Sequence, residues 1–351
     1  MTATLHDVAR VAGVSIKTVS NVVNDYPHVS PATRARVVAA IEELHYRPNL
    51  SARGLRSGRS GMIGLAIPSL RENYFAELAD AVIRAAKVHN LQVVVETTGE
   101  ERESELRAVN RSGQPRFLDG LLFSPVSLGQ EDVDRLQTDL PLVLLGERIF
   151  GGPTDHVAMH NVTAAQAATE HLLEIGRTRI AVIGAHPGDD HDVNSATLRL
   201  RGYRRALERA SLPIDPTLIH RSDRWNRATG AAAAAELIAR GIEFDAIFAL
   251  NDTLGLGALR ALTAAGRRVP EDVAVIGFDN IDEARYSYPS MSSLDPGREE
   301  IAQKAVDLLA ERIRSGGQGG PPRTIKPEFR VVRRESTGFY ETSDEAGVGL
   351  R

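Results

Sequence analysis

The chain has 351 residues, which at about 100–200 residues per domain suggests two or three domains. Its composition, 42% hydrophobic and 25% charged, is typical of a globular protein, and the absence of cysteine excludes disulfides, thiol catalysis and cysteine-ligated zinc. The sequence has no signal peptide at its start and no run of about 18 apolar residues, so we expect a cytoplasmic protein without a membrane span.

The net charge of −4 is unevenly distributed along the chain. Residues 1–60 carry eight Lys/Arg and four Asp/Glu, a net charge of +4, so the other 291 residues carry 34 basic and 42 acidic side chains, a net charge of −8. A basic end on an acidic body indicates nucleic-acid binding by that end. On charge alone, a chance fluctuation of surface charge explains the imbalance equally well.

Local signals in the first 46 residues predict short helices. Thr4 and Ser15 are residues that cap helices, and Gly13 between them ends the first helix. The predicted helices are Leu5–Ala12, Ile16–Val23 and Pro31–His45. The basic, polar segment that follows, up to residue 60, is either a linker or a marginal helix.

From Met62 onward, short apolar runs alternate with helical stretches. The predicted strands are Met62–Ile67, Gln92–Glu96, Gly120–Phe123, Leu142–Leu145, Arg179–Ile183, Ala246–Leu250 and Val273–Gly277. The predicted helices are Phe75–His89, Val162–Glu174, Ala196–Arg209, Ala228–Arg240, Thr253–Ala265 and Ile301–Ile313. This alternation predicts parallel sheets covered by helices, in either one large sheet or two lobes.

The first two helices have the spacing of a helix-turn-helix. A small residue, Ala9, precedes Gly13 by four positions, and the apolar Val19 follows six positions later, which lets two helices cross closely. Polar side chains that can reach phosphates and base edges lie on the second helix at Lys17, Thr18, Ser20 and Asn21. Spacing alone leaves an ordinary small helical bundle as an equal alternative.

A long set of short matches resembles the lactose-repressor family of bacterial transcription regulators. The matching stretches are Thr4–Ala9, Ala12–Ser15, Thr18–Ser20, Val22–Asn24, Val29–Ser30, Tyr46–Asn49 and Ala52–Leu55. The resemblance continues through the body to Arg334–Thr337. It implies an N-terminal all-α helix-turn-helix headpiece followed by an α/β, two-lobed periplasmic-binding-protein-like domain with parallel sheets.

The resemblance also implies a division of the chain. Residues 1–48 are the headpiece, 49–60 a hinge helix and 61–340 the effector-binding and dimerisation domain. Within that domain, the first lobe takes about 61–160 plus 291–325, and the second takes about 161–290 plus 326–340. Residues 341–351, which are small, polar and acidic, are expected to form a disordered tail.

Roles at DNA follow from the resemblance, residue by residue. The positions that read operator bases are matched by Ile16, Lys17 and Asn21, and Asn favours adenine. The positions that contact the DNA backbone are matched by Thr4, Ser15, Thr18, Ser20, Asn24 and His28. The hinge leucine that wedges into the minor groove is matched by Leu55, flanked by Arg53 and Arg56.

Roles at an effector also follow from the resemblance. The matching residues are Asn73, Phe75, Arg199, Trp225, Asn251 and Asp279, with Tyr74 in the same segment. Arg, Asn and Asp suit vicinal hydroxyls and an aromatic ring suits the apolar face of a sugar. The chain departs from the family at Gly146-Glu147, where Asp-Arg is common, and at His160 before Asn161, where Asp is common. Since residues 192–195 lack the second arginine of the purine-binding branch, a carbohydrate effector is favoured over a purine.

Two other patterns are weaker. Gly255-Leu256-Gly257 follows a strand but has no third glycine, so nucleotide binding is not supported. His186 and the residues Asp189–Asp192 read as a solvated loop rather than a metal site, because metal ligands usually come from separated elements. We therefore predict no cofactor, no metal and no catalytic residue.

The sequence predicts a DNA-binding transcription regulator, most simply a repressor. It is expected to act as a homodimer on double-stranded operator DNA and to respond to a small-molecule effector, a sugar, between its lobes. The alternative is a sugar-binding protein without DNA function; an enzyme of the doubly wound class is a third candidate without a catalytic motif to support it. The sequence leaves open which effector binds and whether it releases or strengthens DNA binding.

Overall fold

The structure is a computed structural model that describes residues 3–23, 26–46, 59–110, 117–186, 193–316 and 320–339. Some predicted features lie outside these ranges: Asn24, Arg53, Leu55, Arg56, the cluster residues Asp189–Asp192 and the tail 341–351. Of the predicted hinge 49–60, only Arg59 and Ser60 are described.

The N-terminal unit is helical, as predicted. Its helices are α1 (Leu5–Ala12), α2 (Ile16–Val23) and α3 (Pro31–Glu43). The first two match the predicted bounds, and α3 ends two residues earlier than predicted. The Thr4 hydroxyl caps α1 by accepting the Asp7 N–H at 3.4 Å. Gly13 ends α1 with φ +62, a left-handed conformation that glycine adopts without steric cost.

One small apolar core holds this unit together. Its buried members are Val8, Ala9, Ala12, Val19, Val22, Val37, Ala40 and Tyr46. Val8, Val19 and Val37 have no exposed surface. Burying a valine fully contributes about 1.5–3 kcal/mol, so each of these three valines stabilises the packing of α1–α3.

The body alternates strands and helices. The elements up to residue 160 are β1 (Met62–Ile67), α4 (Asn73–Val88), β2 (Gln92–Thr97), α5 (Arg102–Val109), β3 (Gly120–Phe123), β4 (Leu142–Leu145) and β5 (Asp155–Val157). Next come α6 (Asn161–Glu174), β6 (Ile180–Ala185), α7 (Ser195–Arg209), β7 (Ile219–Arg221), α8 (Arg227–Ala239), β8 (Ala246–Ala249), α9 (Asp252–Ala264), β9 (Ala274–Phe278) and α10 (Asp282–Arg285). The last are β10 (Ser292–Asp295), α11 (Arg298–Arg314), β11 (Thr324–Ile325) and β12 (Arg330–Val332).

In the described part of the chain these strands form two six-stranded sheets, so the body has two lobes rather than one large sheet. The first sheet has the order β11-β5-β4-β3-β1-β2 and the second β12-β10-β9-β8-β6-β7. All neighbouring strands are parallel except β10 and β12, which are antiparallel. The predicted fold class, a helical headpiece before an α/β domain with parallel sheets, is confirmed.

The chain passes between the lobes after β5, after β10 and again after β11. Helix α11 packs on α4 and the first sheet, whereas α6 packs on the second sheet. The proposed boundary at 291 differs from the structure, which places Ser292–Asp295 in the second sheet. There, Ser292 pairs with Ile276 and Leu294 with Phe278, so the switch falls between β10 and α11.

The central strands of both sheets are apolar along their length because helices cover their two faces. All residues of β3, β4, β8 and β9 are buried. At the start of β3, a Cβ on Gly120 would lie 2.7 Å from Leu309, so this glycine lets α11 pack closely on the sheet. Among the described residues, no helix is both long and apolar enough to cross a membrane.

Candidate functional site

Helix α2 presents polar side chains on its outer surface. The Ser15 hydroxyl accepts the Thr18 N–H at 3.1 Å and thereby caps the helix. Lys17 is exposed and Asn21 is half-buried, and their spacing of four residues places them on the same helix face. Ile16 is half-buried against the core of the unit. Lys17 and Asn21 are therefore available to an external ligand, whereas Ile16 also serves packing.

Three hydroxyl groups that the resemblance assigned to the DNA backbone have local partners. The Thr4 hydroxyl donates to Asp7 at 2.7 Å, and the Ser15 and Thr18 hydroxyl oxygens are 2.9 Å apart. Ser20 is half-buried and His28 is exposed, with its ring in edge contact with Tyr26. Their roles at DNA stay predictions.

Arginines of α3 hold the segments that flank α2. The Arg36 guanidinium donates to the carbonyl of Gly13 at 3.2 Å, and that of Arg34 donates to the carbonyl of Tyr26 at 2.8 Å. Gly13 lies in the turn before α2 and Tyr26 lies just after the helix. Part of the basic surplus of residues 1–60 thus positions α2, a role that the charge count did not reveal.

In the body, polar and aromatic side chains follow the carboxyl ends of strands in both sheets. These segments come after β1, β4, β7, β8 and β9 and carry Tyr74, Glu147, Trp225, Asn251 and Asp279, respectively. In parallel sheets the carboxyl ends of the strands form the usual ligand-binding crevice. We call this region the cleft.

Arg199 of α7 connects several of these segments. Its side chain is only 3% exposed. Nε donates to Oδ1 of Asn161 at 2.8 Å, Nη1 donates to the carbonyl of Leu250, and Nη2 lies 3.4 Å from Oδ1 of Asp279. A buried guanidinium with these acceptors is held rigidly, because each hydrogen bond restricts the orientation of the planar guanidinium group.

Aromatic rings pack on the same guanidinium. The Arg199 carbon Cζ is 3.5 Å from the ring centre of Phe278 and 5.4 Å from that of Trp225, both within cation–π range. The indole N–H of Trp225 donates to the carbonyl of Gly184 at 2.9 Å, which fixes the orientation of the ring. The sequence-predicted pair of Arg199 and Trp225 is thus brought together.

Asp279 sits at the centre of the charged groups in the cleft. It has a positive φ of 109° and is 6% exposed. Burial raises the pKa of Asp279 to about 6, although Arg199 and Arg298 lower it, and the Glu147 carboxylate raises it further.

Asn251 and its neighbour Asp252 have structural partners. Oδ1 of Asn251 accepts the Leu254 N–H at 2.8 Å and caps α9. The Asp252 carboxylate accepts the Ser293 hydroxyl at 2.6 Å and the Ile281 N–H at 2.9 Å. These bonds anchor the loop after Asp279, so Asp252 acts as support for the cleft.

The predicted effector residues of the segment after β1, Asn73 and Phe75, have partners within the protein. The Asn73 amide donates to Glu283 of α10, whose carboxylate also accepts from Arg227 at 3.2 Å. The ring of Phe75 is in edge contact with Tyr74 at 5.3 Å. Burial raises the pKa of Tyr74, and the nearby Asp279 and Glu147 carboxylates raise it further. Tyr74 is therefore the residue of this segment that lies near Asp279.

Sequence reasoning did not assign roles to some groups of the cleft. Asn161 binds Arg199, and Glu147 lies near both Asp279 and Tyr74. Burial also raises the pKa of Glu72 to about 7, with contributions from Glu100 and Asp279. The only sign of these roles in the sequence was that Gly146-Glu147 and the residue before Asn161 depart from the family pattern.

The glycines of the incomplete nucleotide motif serve helix packing. A Cβ on Gly257 would lie 2.1 Å from the carbonyl oxygen of Arg227, and one on Gly255 would lie 2.7 Å from the sulfur of Met291. Across the described ranges, no group of three or more His, Cys, Asp or Glu residues could hold a metal ion.

Comparison with known families assigns both parts of the chain. Residues 4–49 match the model described as bacterial regulatory proteins, lacI family, and residues 169–337 match that of a periplasmic binding protein-like domain. The match over 4–49 covers the helix-turn-helix, which a sugar-binding protein without DNA function would not require.

Relatives of known structure and name extend along almost the whole chain. The transcriptional regulator CelR of Thermobifida fusca is 36% identical over 344 residues, covering 95% of this chain and 98% of CelR. A solved CelR–cellobiose complex covers 95% of this chain and 99% of its own, at 34% identity and a TM-score of 0.68. The lac repressor dimer bound to operator covers 96% and 99%, at 28% identity and a TM-score of 0.78.

Proposed function

This chain belongs to the lacI family of bacterial regulatory proteins, and from that premise we propose that it is an operator-binding repressor controlled by a sugar held in the cleft. It acts as a homodimer in the cytoplasm and carries out no catalysis. The observation that carries the effector part is the buried Arg199, which is bonded to Asn161 and Asp279 and lies within cation–π range of Trp225 and Phe278.

DNA is read through α2. The exposed ammonium group of Lys17 and the amide of Asn21 on the same helix face support contact with a major groove, where each group can reach base edges or phosphates. Ile16 completes the base-reading set. In a homodimer two such helices bind half-sites of a near-palindromic operator. Leu55, flanked by Arg53 and Arg56, acts as the minor-groove wedge.

The effector is a sugar. A sugar offers hydroxyl groups that bond to Arg199, Asn251 and Asp279 and an apolar face that stacks on Trp225. The similarity to CelR, for which a complex with cellobiose is known, supports the same chemical class. Binding alters DNA affinity only if the sugar binds the two lobe arrangements with different affinity.

Fluorescence and DNA binding test this function together. Trp225 is the only tryptophan of the chain, so a sugar in the cleft should change its emission. We expect one member of a panel that includes cellobiose to change both the emission and the affinity for DNA taken from upstream of the neighbouring genes. Failure of the intact protein to bind any such DNA would reject the operator-binding role. DNA binding without any sugar response would reject the sugar.

A further inference from the structure

Glu147 is a buried glutamate, and one oxygen of its carboxylate has no hydrogen-bond partner among the described residues. It follows β4 through Gly146, which has a φ of +93°, and it is 6% exposed. Its Oε1 accepts the hydroxyl of Ser195 at the start of α7, in the other lobe. Its Oε2 is buried and has no hydrogen-bond partner among the described residues.

The backbone that carries Glu147 is firmly placed. Nε2 of His156 on β5 donates to the carbonyl of Gly146 at 2.6 Å, and burial lowers the pKa of His156. Arg148, the next residue, donates to the carbonyl of Leu128 at 3.1 Å and to that of Val193 at 2.9 Å. The free oxygen therefore results from the position that the fold gives this side chain.

Glu147 has other acidic groups as neighbours in the cleft. Its carboxylate lies near that of Asp279 and near the phenol of Tyr74, and it raises the pKa of both groups. The guanidinium of Arg199 in the same cleft is bonded to Asn161, Leu250 and Asp279.

A second buried glutamate in the same lobe shows the opposite arrangement. The Glu105 side chain is fully buried, and its carboxylate accepts backbone N–H groups from Val126 at 2.8 Å, Ser127 at 3.0 Å and Leu128 at 2.8 Å. Such bonding is normal for a buried carboxylate that serves the fold. Glu147 lacks it, and a buried polar group left without a partner points to a ligand that supplies one.

An unpartnered donor lies in the same region. Nδ2 of Asn161 is buried without a hydrogen-bond partner in the described structure, while Oδ1 of the same side chain binds Arg199. Oε2 of Glu147 thus lacks a hydrogen-bond donor, and Nδ2 of Asn161 lacks a hydrogen-bond acceptor. A hydroxyl group can donate and accept, whereas a phosphate or carboxylate only accepts and an ammonium only donates.

We propose that Glu147 is a specificity-determining residue of the cleft: its free oxygen accepts a hydrogen bond from a hydroxyl of an uncharged effector and rejects anionic analogues such as sugar acids and sugar phosphates. This inference rests on the proposed function, since it takes the effector to be a sugar. It adds that this sugar is uncharged and that Glu147 is the residue that selects the uncharged form.

The first test needs no ligand and compares two isosteric variants by thermal unfolding. Glu147→Gln keeps the shape of the side chain but removes a negative charge that lies near Asp279 and whose Oε2 has no hydrogen-bond partner, so we expect the Tm of the effector-free protein to rise by about 2–4 °C. Glu105→Gln places an amide donor against backbone donors, so we expect the Tm to fall. A fall of the Tm in Glu147→Gln, similar to that in Glu105→Gln, would overturn the inference, because Glu147 would then serve the fold.

The second test compares matched sugars by Trp225 emission. The pairs are cellobiose with cellobionate and glucose with glucose 6-phosphate. We expect the wild-type protein to prefer the neutral member by about tenfold or more, and Glu147→Gln to narrow that ratio. Equal or tighter binding of the anionic member, or an unchanged ratio in the variant, would overturn the inference. If no sugar binds while Glu147→Gln still raises the Tm, the sugar effector of the proposed function fails, and the ligand-facing position of Glu147 is supported.

Discussion

The α1–α3 unit and the cleft of the body place their functional side chains in opposite environments. In the α1–α3 unit the core is apolar, and the candidate DNA-reading groups, such as Lys17, stand outside it. In the cleft the candidate effector groups are buried: Arg199 is 3% exposed and Asp279 is 6% exposed. Replacing a functional group should therefore leave folding intact in the first region and disturb it in the second.

The largest effect is expected at Arg199. Arg199→Ala should remove the effector response and lower the free energy of unfolding of the body by about 3–5 kcal/mol, because Asp279 is left buried without its partner. Urea unfolding followed by Trp225 fluorescence measures the loss. Arg201→Ala, an exposed arginine on the same helix, is the control and should change stability by about 0.5 kcal/mol or less. If Arg199→Ala and Arg201→Ala were equally stable, the buried Arg199 would not contribute to folding, and the contrast drawn between the cleft and the α1–α3 unit would be wrong.

The next effect is a pH dependence. The folded pKa of Asp279, about 6, lies above its ordinary value of 3.8, so its protonated form is favoured in the folded protein. The resulting stabilisation is complete below pH 3.8 and is lost as the pH rises through 6. We expect the stability of the wild-type protein relative to Asp279→Asn to fall by about 1–3 kcal/mol between pH 4 and 7. A constant difference, measured by denaturant titration at each pH, would show that folding does not raise the pKa of Asp279.

A smaller loss is expected in the core of the α1–α3 unit. Val19→Ala removes two methyl groups from a fully buried site and should destabilise these helices by about 2 kcal/mol. Hydrogen exchange of α1–α3 and DNA binding should both report it, while sugar binding by the body should not change. Val11→Ala, at a position that is 37% exposed, is the matched control. A change in sugar affinity in Val19→Ala would contradict the separation of the two regions.

The smallest effect is expected at Lys17. Lys17→Ala should weaken DNA binding by about 1 kcal/mol and reduce its salt dependence by about one phosphate contact, without a change in Tm. Anisotropy titrations at several salt concentrations measure both quantities. Lys87→Ala changes the same charge on α4 of the body and should leave DNA affinity unchanged. A loss of Tm in Lys17→Ala would show that this side chain serves the fold.

The sequence predicted elements that depend on local signals. The bounds of α1 and α2 follow from Thr4, Gly13 and Ser15, and strands such as Leu142–Leu145 follow from continuous apolar runs. The short strands β5, β7, β10, β11 and β12 were missed because they are too short or too polar to form a continuous apolar run. Their conformation depends on neighbours far away in the chain, as when Thr324 pairs with His156.

The candidate site was predictable in part. The types and spacing of Arg199, Trp225 and Asp279, together with the family resemblance, indicated residues that the structure brings together. The free oxygen of Glu147 has no local signature, since only the tertiary structure determines which buried groups receive a partner. For the same reason, the bond of Asn73 to Glu283 could not be foreseen.

The edge strands β11 and β12 are synthesised after the α1–α3 unit and after most of the body. Helices α1–α3 and their core are complete within the first 46 residues, whereas β11 and β12, which close the two sheets on one side, come from residues 324–332. A nascent chain that stops before Thr324 thus contains the whole α1–α3 unit and two sheets that each lack an edge strand. The α1–α3 unit, which carries the DNA-binding helix α2, is therefore synthesised before the strands that complete the two sheets around the effector cleft.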